Sequence, residues 1–270
     1  MAPARAPGLD PVVRFVAYLS AMTRTPRSAS RSKSTAAQKT ARRGPVKRGF
    51  RFCIRWAARI VAGAVVFVTA VVLLFAVVNP PQGIYMRQES SRLGGISRDW
   101  VDMDEIAPVM GRSVVAAEDA NFCNHWGFDM AAIRAALDAG SGGGASTISQ
   151  QVVKNVFLWH GRSWTRKALE ALITPVLETF WSKRRILEVY LNVAEFGEGV
   201  FGVKAAAEVY FKVEPADLTA DQAARLASVL PDPKRRSVEK PGPLVRRKTA
   251  RVIDGAETIL RDGRAACFER

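Results

Sequence analysis

The longest hydrophobic stretch of the chain runs from Ile60 to Val78, where 19 consecutive residues carry no charge. A helix rises about 1.5 Å per residue, so this stretch would span roughly 28 Å, close to the hydrocarbon thickness of a bilayer. A cleaved signal peptide would have a shorter apolar run and a shorter segment before it. A buried core helix is the other alternative, but 19 apolar residues without a polar face fit it poorly. We therefore predict an uncleaved transmembrane helix over residues 57–79.

Beyond Pro81 most apolar residues recur three and four positions apart, the spacing of a helix with one buried face. The pattern predicts helices over residues 106–117, 129–139, 146–158, 164–181, 183–193, 219–231 and 244–261. The fold class is therefore predicted to be mainly α-helical.

Local signals refine these predicted elements. Pro175 is expected to kink the fourth helix. Thr219 and Gln222 form a capping box at the start of the sixth. Strand-like alternation is limited to a short piece over residues 85–90, and three glycines between residues 197 and 202 mark a turn. No internal repeat is visible.

The net charge of +15 is distributed unevenly along the chain. Residues 1–59 hold 14 Lys or Arg and one acid, whereas residues 60–270 hold 26 Lys or Arg and 24 acids. The basic segment is poor in large apolar residues, so residues 1–50 are predicted to be largely disordered. A nearly neutral main domain argues against nucleic acid as its partner. The positive-inside rule places the basic tail in the cytoplasm and the main domain outside.

The cysteines and histidines give no framework for a disulfide or a metal site. Cys53, Cys123 and Cys267 lack metal-ligand spacing. Only the last two could share an oxidising compartment, and nothing in their spacing predicts a bond, so we expect free thiols. Two histidines are too few for a histidine-rich metal site.

A first candidate for chemistry is the segment EDANFCNHWG, which begins with Glu118 and Asp119 at the end of an apolar predicted helix. The negative end of the helix dipole disfavours a carboxylate. A carboxylate held there, partly shielded from water, suits a general base. The simpler interpretation is a solvated helix end, because acids are mostly exposed.

A second candidate is the segment GASTISQQVVKN, which ends at Asn155. Gly-Ser-Thr before a helix predicts a capped N-terminus whose free backbone N–H groups could bind an anion. Gln151, Lys154 and Asn155 share one helix face, and a cation among amides suits phosphate or sugar hydroxyls. The alternative is an ordinary amphipathic helix with a solvated side.

A third candidate is the segment RSWTRKALE, in which three cationic residues precede Glu170. Arg166 lies four residues before Glu170, so an ordinary ion pair along one helix face is the simpler interpretation.

Together these segments resemble the peptidoglycan glycosyltransferases of family 51, and especially the monofunctional biosynthetic transglycosylases. The resemblance covers about residues 82–250. The E-D-x-x-F-x-x-H-x-G, G-x-S-T-I-x-Q-Q-x-x-K-N and R-K-x-x-E patterns are met in that order, with Ser149 where Thr is common. A further block matches from Ser182 to Phe211. No second domain follows in the printed sequence, so the transpeptidase of the bifunctional relatives is expected to be absent.

The resemblance implies an inverting transfer that polymerises lipid II, a disaccharide-peptide on a polyprenyl pyrophosphate, into β-1,4 glycan strands. It implies that Glu118 deprotonates the acceptor hydroxyl and that Glu170 is the second catalytic carboxylate, orienting the basic groups or a divalent ion. His125 is interpreted as structural. The expected substrate-binding residues are Asp119, Gln151, Lys154, Asn155, Arg162, Arg166 and Lys167.

The resemblance also implies a two-lobed, lysozyme-like helical domain, residues 80–270, behind a basic tail, residues 1–56. No organic cofactor is expected, and a divalent cation, Mg²⁺ or Mn²⁺, is expected with the substrate pyrophosphate. The expected partners are lipid II, the nascent glycan strand, the bacterial inner membrane and proteins of wall synthesis or division, with the catalytic domain in the periplasm. By analogy with inverting glycosidases, Glu118 and Glu170 are expected to lie at least about 6.5 Å apart. A lytic hydrolase and a basic membrane scaffold are the rival functions.

Overall fold

The computed structural model describes residues 45–140, 146–161 and 163–269. The chain divides into two compact units, residues 1–54 and 55–270. The described part of the first unit, residues 45–54, is helical. Most of the tail that we predicted to be disordered, like Arg162, falls outside the described residues.

The first described helix, α1, runs from Pro45 to Val77. Its stretch Phe50–Val77 is, within the described residues, the one helix long and apolar enough to cross a membrane. Large apolar side chains such as Phe67 are exposed along it, whereas Val72 is fully buried. The Val72 carbonyl accepts a hydrogen bond from the Trp181 indole N–H at 2.8 Å. The predicted apolar N-terminal helix is therefore present, while the boundaries at 57–79 and 80–270 stay a prediction.

Short and medium helices make up most of the rest. The described helices after α1 are α2 (Ile84–Leu93), α3 (Pro108–Glu118), α4 (Met130–Asp138), α5 (Ile148–Phe157), α6 (Trp164–Phe180), α7 (Lys183–Val193), α8 (Val203–Phe211), α9 (Ala220–Val229), α10 (Pro243–Arg261) and α11 (Ala266–Glu269). All seven predicted helices are present, and the capping box between Thr219 and Gln222 is formed. The prediction of a mainly α-helical fold is confirmed.

The prediction of a strand-like piece over residues 85–90 was wrong, because that segment lies within α2. Glu89 pairs with Arg92 at 2.6 Å, a contact between residues three apart on a helix face. Glu89 also pairs with Lys234 at 2.8 Å. Six residues are too few to separate the two periodicities, and these ion pairs stabilise the helical alternative.

The described strands lie elsewhere and form one small sheet. They are β1 (Ser97–Arg98), β2 (Glu195–Gly197) and β3 (Val200–Phe201), in the order β1-β3-β2. β1 pairs parallel to β3, and β2 pairs antiparallel to β3. The turn predicted from the glycines is the tight connection between β2 and β3. Gly199 has a φ of 74°, which favours glycine there.

Two groups of packed helices bring the candidate residues together. α3, α9 and α10 pack against one another, and α5 packs against both α6 and α7. Met110 and Val114 of α3 and Ile148 and Val152 of α5 are fully buried. The polar faces of α5 and α10 therefore meet the C-terminal end of α3, where Glu118 lies.

The expectation of free thiols at Cys123 and Cys267 was wrong, because a disulfide joins them. Their Cα atoms lie 5.8 Å apart although 144 positions separate them in sequence. The C-terminal segment returns to the loop after α3, where fully buried Phe268 packs near Phe122. Sequence spacing carries no information about such a return of the chain. The third cysteine, Cys53, is free and exposed.

Candidate active site

Glu118 ends α3, and each of its carboxylate oxygens has a partner. The Gln151 side-chain amide donates to Oε2 at 3.1 Å, and the Lys248 ammonium lies 3.4 Å from Oε1. The Glu118 side chain is only 11% exposed. The predicted base is therefore not a solvated helix end. A cation from α10 and an amide from α5 hold it in place.

Asp119 uses both carboxylate oxygens inside the protein. Oδ1 lies 2.7 Å from His125 Nε2, and Oδ2 accepts a hydrogen bond from the Ile148 backbone N–H at 3.0 Å. The Thr147 hydroxyl accepts from the backbone N–H of Gln150 and donates to the Gly127 carbonyl at 2.7 Å. These contacts fasten the loop after Glu118 to the start of α5.

The same contacts correct one expectation. We predicted free backbone N–H groups at the start of α5 that could bind an anion, but Asp119 and Thr147 already occupy two of them. The contacts of Asp119 favour a role in positioning Glu118 over direct substrate binding. The structural interpretation of His125 agrees with its hydrogen bond to Asp119.

Glu170 lies on α6 and is held by two cations from its own helix. Arg166 donates to Oε2 at 2.6 Å, and Lys167 pairs with Oε1. Lys167 also donates to the Ser146 hydroxyl at 3.0 Å. The Glu170 side chain is 3% exposed, so it acts as a buried counter-ion that fixes Arg166 and Lys167. Glu118 and Glu170 thus have different partners. The expected distance between their two carboxylates stays a prediction.

Lys154 differs from these cations because its side-chain ammonium forms no hydrogen bond or ion pair with any described residue. Burial lowers the pKa of Lys154, while Glu170 and Glu118 oppose that change and Arg166 adds to it. Its side chain lines a cavity of about 280 Å³. A partly desolvated ammonium that faces a cavity without a protein counter-ion suits an anionic ligand.

The lining of this cavity also includes four residues that the sequence did not single out. They are Tyr85, His160, Glu195 and Lys234. Asn155 is fixed there by a 3.0 Å hydrogen bond to the His160 imidazole. The His160 ring stacks on Tyr85 with 3.6 Å between ring centres, and burial lowers the pKa of His160 to about 3. His160 therefore stays neutral at physiological pH.

A second cavity, of about 310 Å³, lies on the Glu118 side. Its lining includes Glu118, Asn121, Asp129 and Ser146. Gln151 lines the first cavity and donates to Glu118, which lines the second. The predicted base therefore lies at a wall between two polar cavities, and the unpaired ammonium of Lys154 faces the first of them.

The residues fit a protein-held divalent metal poorly. Within the part of the chain that the structure describes, no three His, Cys, Asp or Glu side chains cluster as metal ligands. Both oxygens of Glu170 are already paired with cations, which would oppose a metal ion.

The chain is similar to known proteins over most of its length. The model of the family described as Transglycosylase matches residues 86–257. The chain belongs to the transglycosylase family. The biosynthetic peptidoglycan transglycosylase of Jannaschia sp. (strain CCS1) is 61% identical over 214 residues, covering 79% of this chain and 90% of that relative. Its counterpart from Caulobacter vibrioides is 45% identical over 212 residues, covering 77% and 91%. That from Escherichia coli O127:H6 is 49% identical over 216 residues, covering 76% and 89%.

Membership of the transglycosylase family confirms the sequence prediction of a peptidoglycan glycosyltransferase. The matched range contains each predicted site residue, from Glu118 to Glu170. Of those that the structure describes, Gln151, Lys154 and Asn155 line the first cavity, and Glu118 and Asp119 line the second. The cluster of Arg166, Lys167 and Glu170 lines neither cavity, although Lys167 donates to Ser146 of the second. The structure adds Lys248 and Tyr190, which were assigned no role from the sequence, because they lie 130 and 39 residues from their contacts at Glu118 and Gln151.

Proposed function

We propose that this chain polymerises lipid II into β-1,4-linked glycan strands and releases polyprenyl pyrophosphate, with Glu118 as the general base. The observation that carries the proposal is the position of Glu118. It is held by Gln151 and Lys248 at the wall between two cavities, and Lys154 faces the first cavity without a counter-ion. Family membership supports the same reaction.

The transfer is a single displacement at the anomeric carbon of the donor. The acceptor 4-hydroxyl gives its proton to Glu118 while its oxygen forms the new bond to that carbon. The bond between the carbon and the pyrophosphate oxygen breaks, and its electron pair leaves with the pyrophosphate. Assistance by a positioned base typically contributes about 10²–10⁴-fold to such a rate.

The leaving pyrophosphate needs neutralisation of charge more than it needs a proton. We assign that task to Lys154 in the first cavity and to Arg166, with Arg162 by resemblance. Glu170 holds Arg166 and Lys167 in one orientation through its two carboxylate oxygens. Any divalent cation in the reaction would be held mainly by the substrate's own phosphate oxygens, since the described residues contain no cluster of metal ligands for it.

A lipid-linked substrate accounts for the apolar helix. Arg185 of α7 donates to the carbonyl oxygens of Phe75 and Val78, and Trp181 donates to that of Val72. These contacts fix the end of α1 to the catalytic domain. Trp164, 90% exposed, and Leu172, 70% exposed, extend apolar surface along α6. We propose that this surface lies at the bilayer, where it meets the polyprenyl chain.

We propose the bacterial inner membrane as the location, with the catalytic domain in the periplasm. The basic residues before Ile60 favour a cytoplasmic N-terminus. The disulfide between Cys123 and Cys267 supports an oxidising compartment for the domain. Beyond the membrane, lipid II and the nascent strand, proteins of wall growth or division remain partners expected only from the resemblance.

The experiment supplies the purified full chain, in parallel, with lipid II and with finished glycan. We expect glycan polymer from lipid II and no release of fragments from finished glycan. Cleavage of glycan without polymerisation of lipid II would contradict the proposal and support the lytic rival. A membrane scaffold would change neither substrate.

A further inference from the structure

We propose that Lys248 and Tyr190 are positioning residues for Glu118: Lys248 favours the ionised carboxylate, and Tyr190 fixes the amide that orients it. The inference rests on the proposed function, because it concerns the base of that reaction. Tyr190 lies in the block from Ser182 to Phe211, but neither residue was assigned a role from the sequence. They come from α10 and α7, far from Glu118 along the chain.

The first part of the argument concerns the orientation of Gln151. The Tyr190 hydroxyl donates to Gln151 Oε1 at 3.3 Å, and the Gln151 NH₂ group donates to Glu118 Oε2 at 3.1 Å. An amide can flip, but a flipped Gln151 would turn its oxygen toward the carboxylate and repel it. Tyr190 is fully buried and burial raises its pKa well above the ordinary value, so the phenol stays a donor. The hydroxyl therefore selects the amide orientation that holds Glu118.

The second part concerns the ammonium of Lys248. At 3.4 Å from Oε1 it lies farther away than a charge-assisted hydrogen bond, which is typically about 2.7–2.9 Å. It stabilises negative charge on Glu118 while leaving room for another donor to approach Oε1. Burial lowers the pKa of Lys248, and the adjacent Glu118 opposes that change. In this proposal the ammonium attracts the Glu118 carboxylate, and the acceptor hydroxyl approaches Oε1.

Other titratable groups also face the pair. Asp119 follows Glu118 and contacts His125, Lys154 faces Glu118 from α5, and Arg236 faces Lys248. Each of them is present in wild type and in the variants below. A difference between pH profiles therefore isolates the missing group. An opposite charge within about 4–6 Å of a carboxylate typically displaces its titration by about 1–3 pH units.

The experiment measures kcat and KM for lipid II from pH 5 to 9 with the full chain in detergent. For Lys248→Met we expect the acid limb of kcat to move up by about one pH unit or more, which makes the loss about tenfold greater at its acid end than at pH 8. Lys248→Arg should restore the limb because it keeps the charge. Lys240→Met is the matched control, since Lys240 is exposed and its ammonium forms no ion pair with a described residue, and it should follow wild type.

Tyr190→Phe separates the role of Tyr190 in orienting Gln151 from the role of Lys248 in stabilising the carboxylate. This test does not require that Lys248→Met folds. Tyr190→Phe removes one hydroxyl and no charge, so kcat should fall by a similar factor at every pH while the acid limb stays in place. Lys248→Gln serves as a second neutral variant, with thermal midpoints checking that each protein is folded.

Three results would overturn the inference in folded variants. They are an equal loss at all pH values in Lys248→Met, no rescue by Lys248→Arg, or an increase in KM at unchanged kcat. Unchanged kcat in Tyr190→Phe would remove that residue from the account. A wild type that does not polymerise lipid II would instead contradict the proposed function, so the two failures are distinguishable.

Discussion

The bond between Cys123 and Cys267 gives the sharpest prediction about stability. It joins the turn that follows Glu118 to the C-terminal helix α11. Breaking it by reduction, or by the double substitution Cys123→Ser and Cys267→Ser, frees both segments in the unfolded chain. Phe268 stays available to pack near Phe122, so we expect the native fold to persist with lower stability.

The magnitude follows from the length of the closed loop. The bond spans 144 positions, for which the chain-entropy relation gives about 5 kcal/mol at 25 °C. Measured disulfide contributions are typically about 2–4 kcal/mol, because unfolded chains retain structure. For a chain of this size, about 1 kcal/mol changes the melting temperature by roughly 2–4 °C. We therefore expect the midpoint to fall by roughly 4–16 °C.

The assay is thermal unfolding of the full chain in detergent, with and without dithiothreitol. Cys53→Ser is the matched control, because Cys53 is free and exposed and its loss should leave the midpoint unchanged. Thiol titration of the unreduced, denatured protein should find one free thiol per chain. Three free thiols, or a midpoint that neither the reductant nor the double substitution lowers, would refute the reasoning.

Two further predictions concern the first cavity. Lys154→Ala should lower kcat/KM for lipid II by about 10²–10³-fold, the usual cost of losing one group that stabilises developing negative charge. Lys240→Ala is the control. A normal polymer yield from Lys154→Ala would remove Lys154 from the site. Because burial lowers the pKa of His160 to about 3 while an unfolded histidine titrates near about 6.5, only the unfolded state gains a proton as pH falls below about 6.5. The melting temperature should therefore fall more between pH 7 and 5 in wild type than in His160→Phe, and equal falls would contradict this.

The helices were predictable because their signals are local. Apolar residues three and four apart, and caps such as Thr219 with Gln222, lie within the segment that they organise. The prediction for the short segment containing Tyr85 failed because six residues carry too little periodic signal to separate a helix from a strand. One of its contacts, the ion pair of Glu89 with Lys234, also comes from far away in sequence.

The sequence predicted those residues of the candidate site that lie in recognisable motifs, but not those that packing brings to it. Glu118 and Lys154 lie in motifs, and their placement at the two cavities agrees with the roles expected from the resemblance. No local sequence pattern marks Lys248, because only the packing of α10 against α3 brings it next to Glu118. The disulfide of Cys123 likewise depends on where the chain returns in space.

The most direct test of the account is lipid II polymerisation by Glu118→Gln beside wild type. The substitution keeps the size of the side chain and the hydrogen-bonding capacity of one oxygen, but it removes the base. Glu257→Gln, an exposed change on α10, is the matched control. We predict that Glu118→Gln loses at least about 10²-fold in kcat while its melting temperature stays within a few degrees of wild type, and that Glu257→Gln polymerises normally. A folded Glu118→Gln that makes polymer at a rate near that of wild type would contradict the central claim.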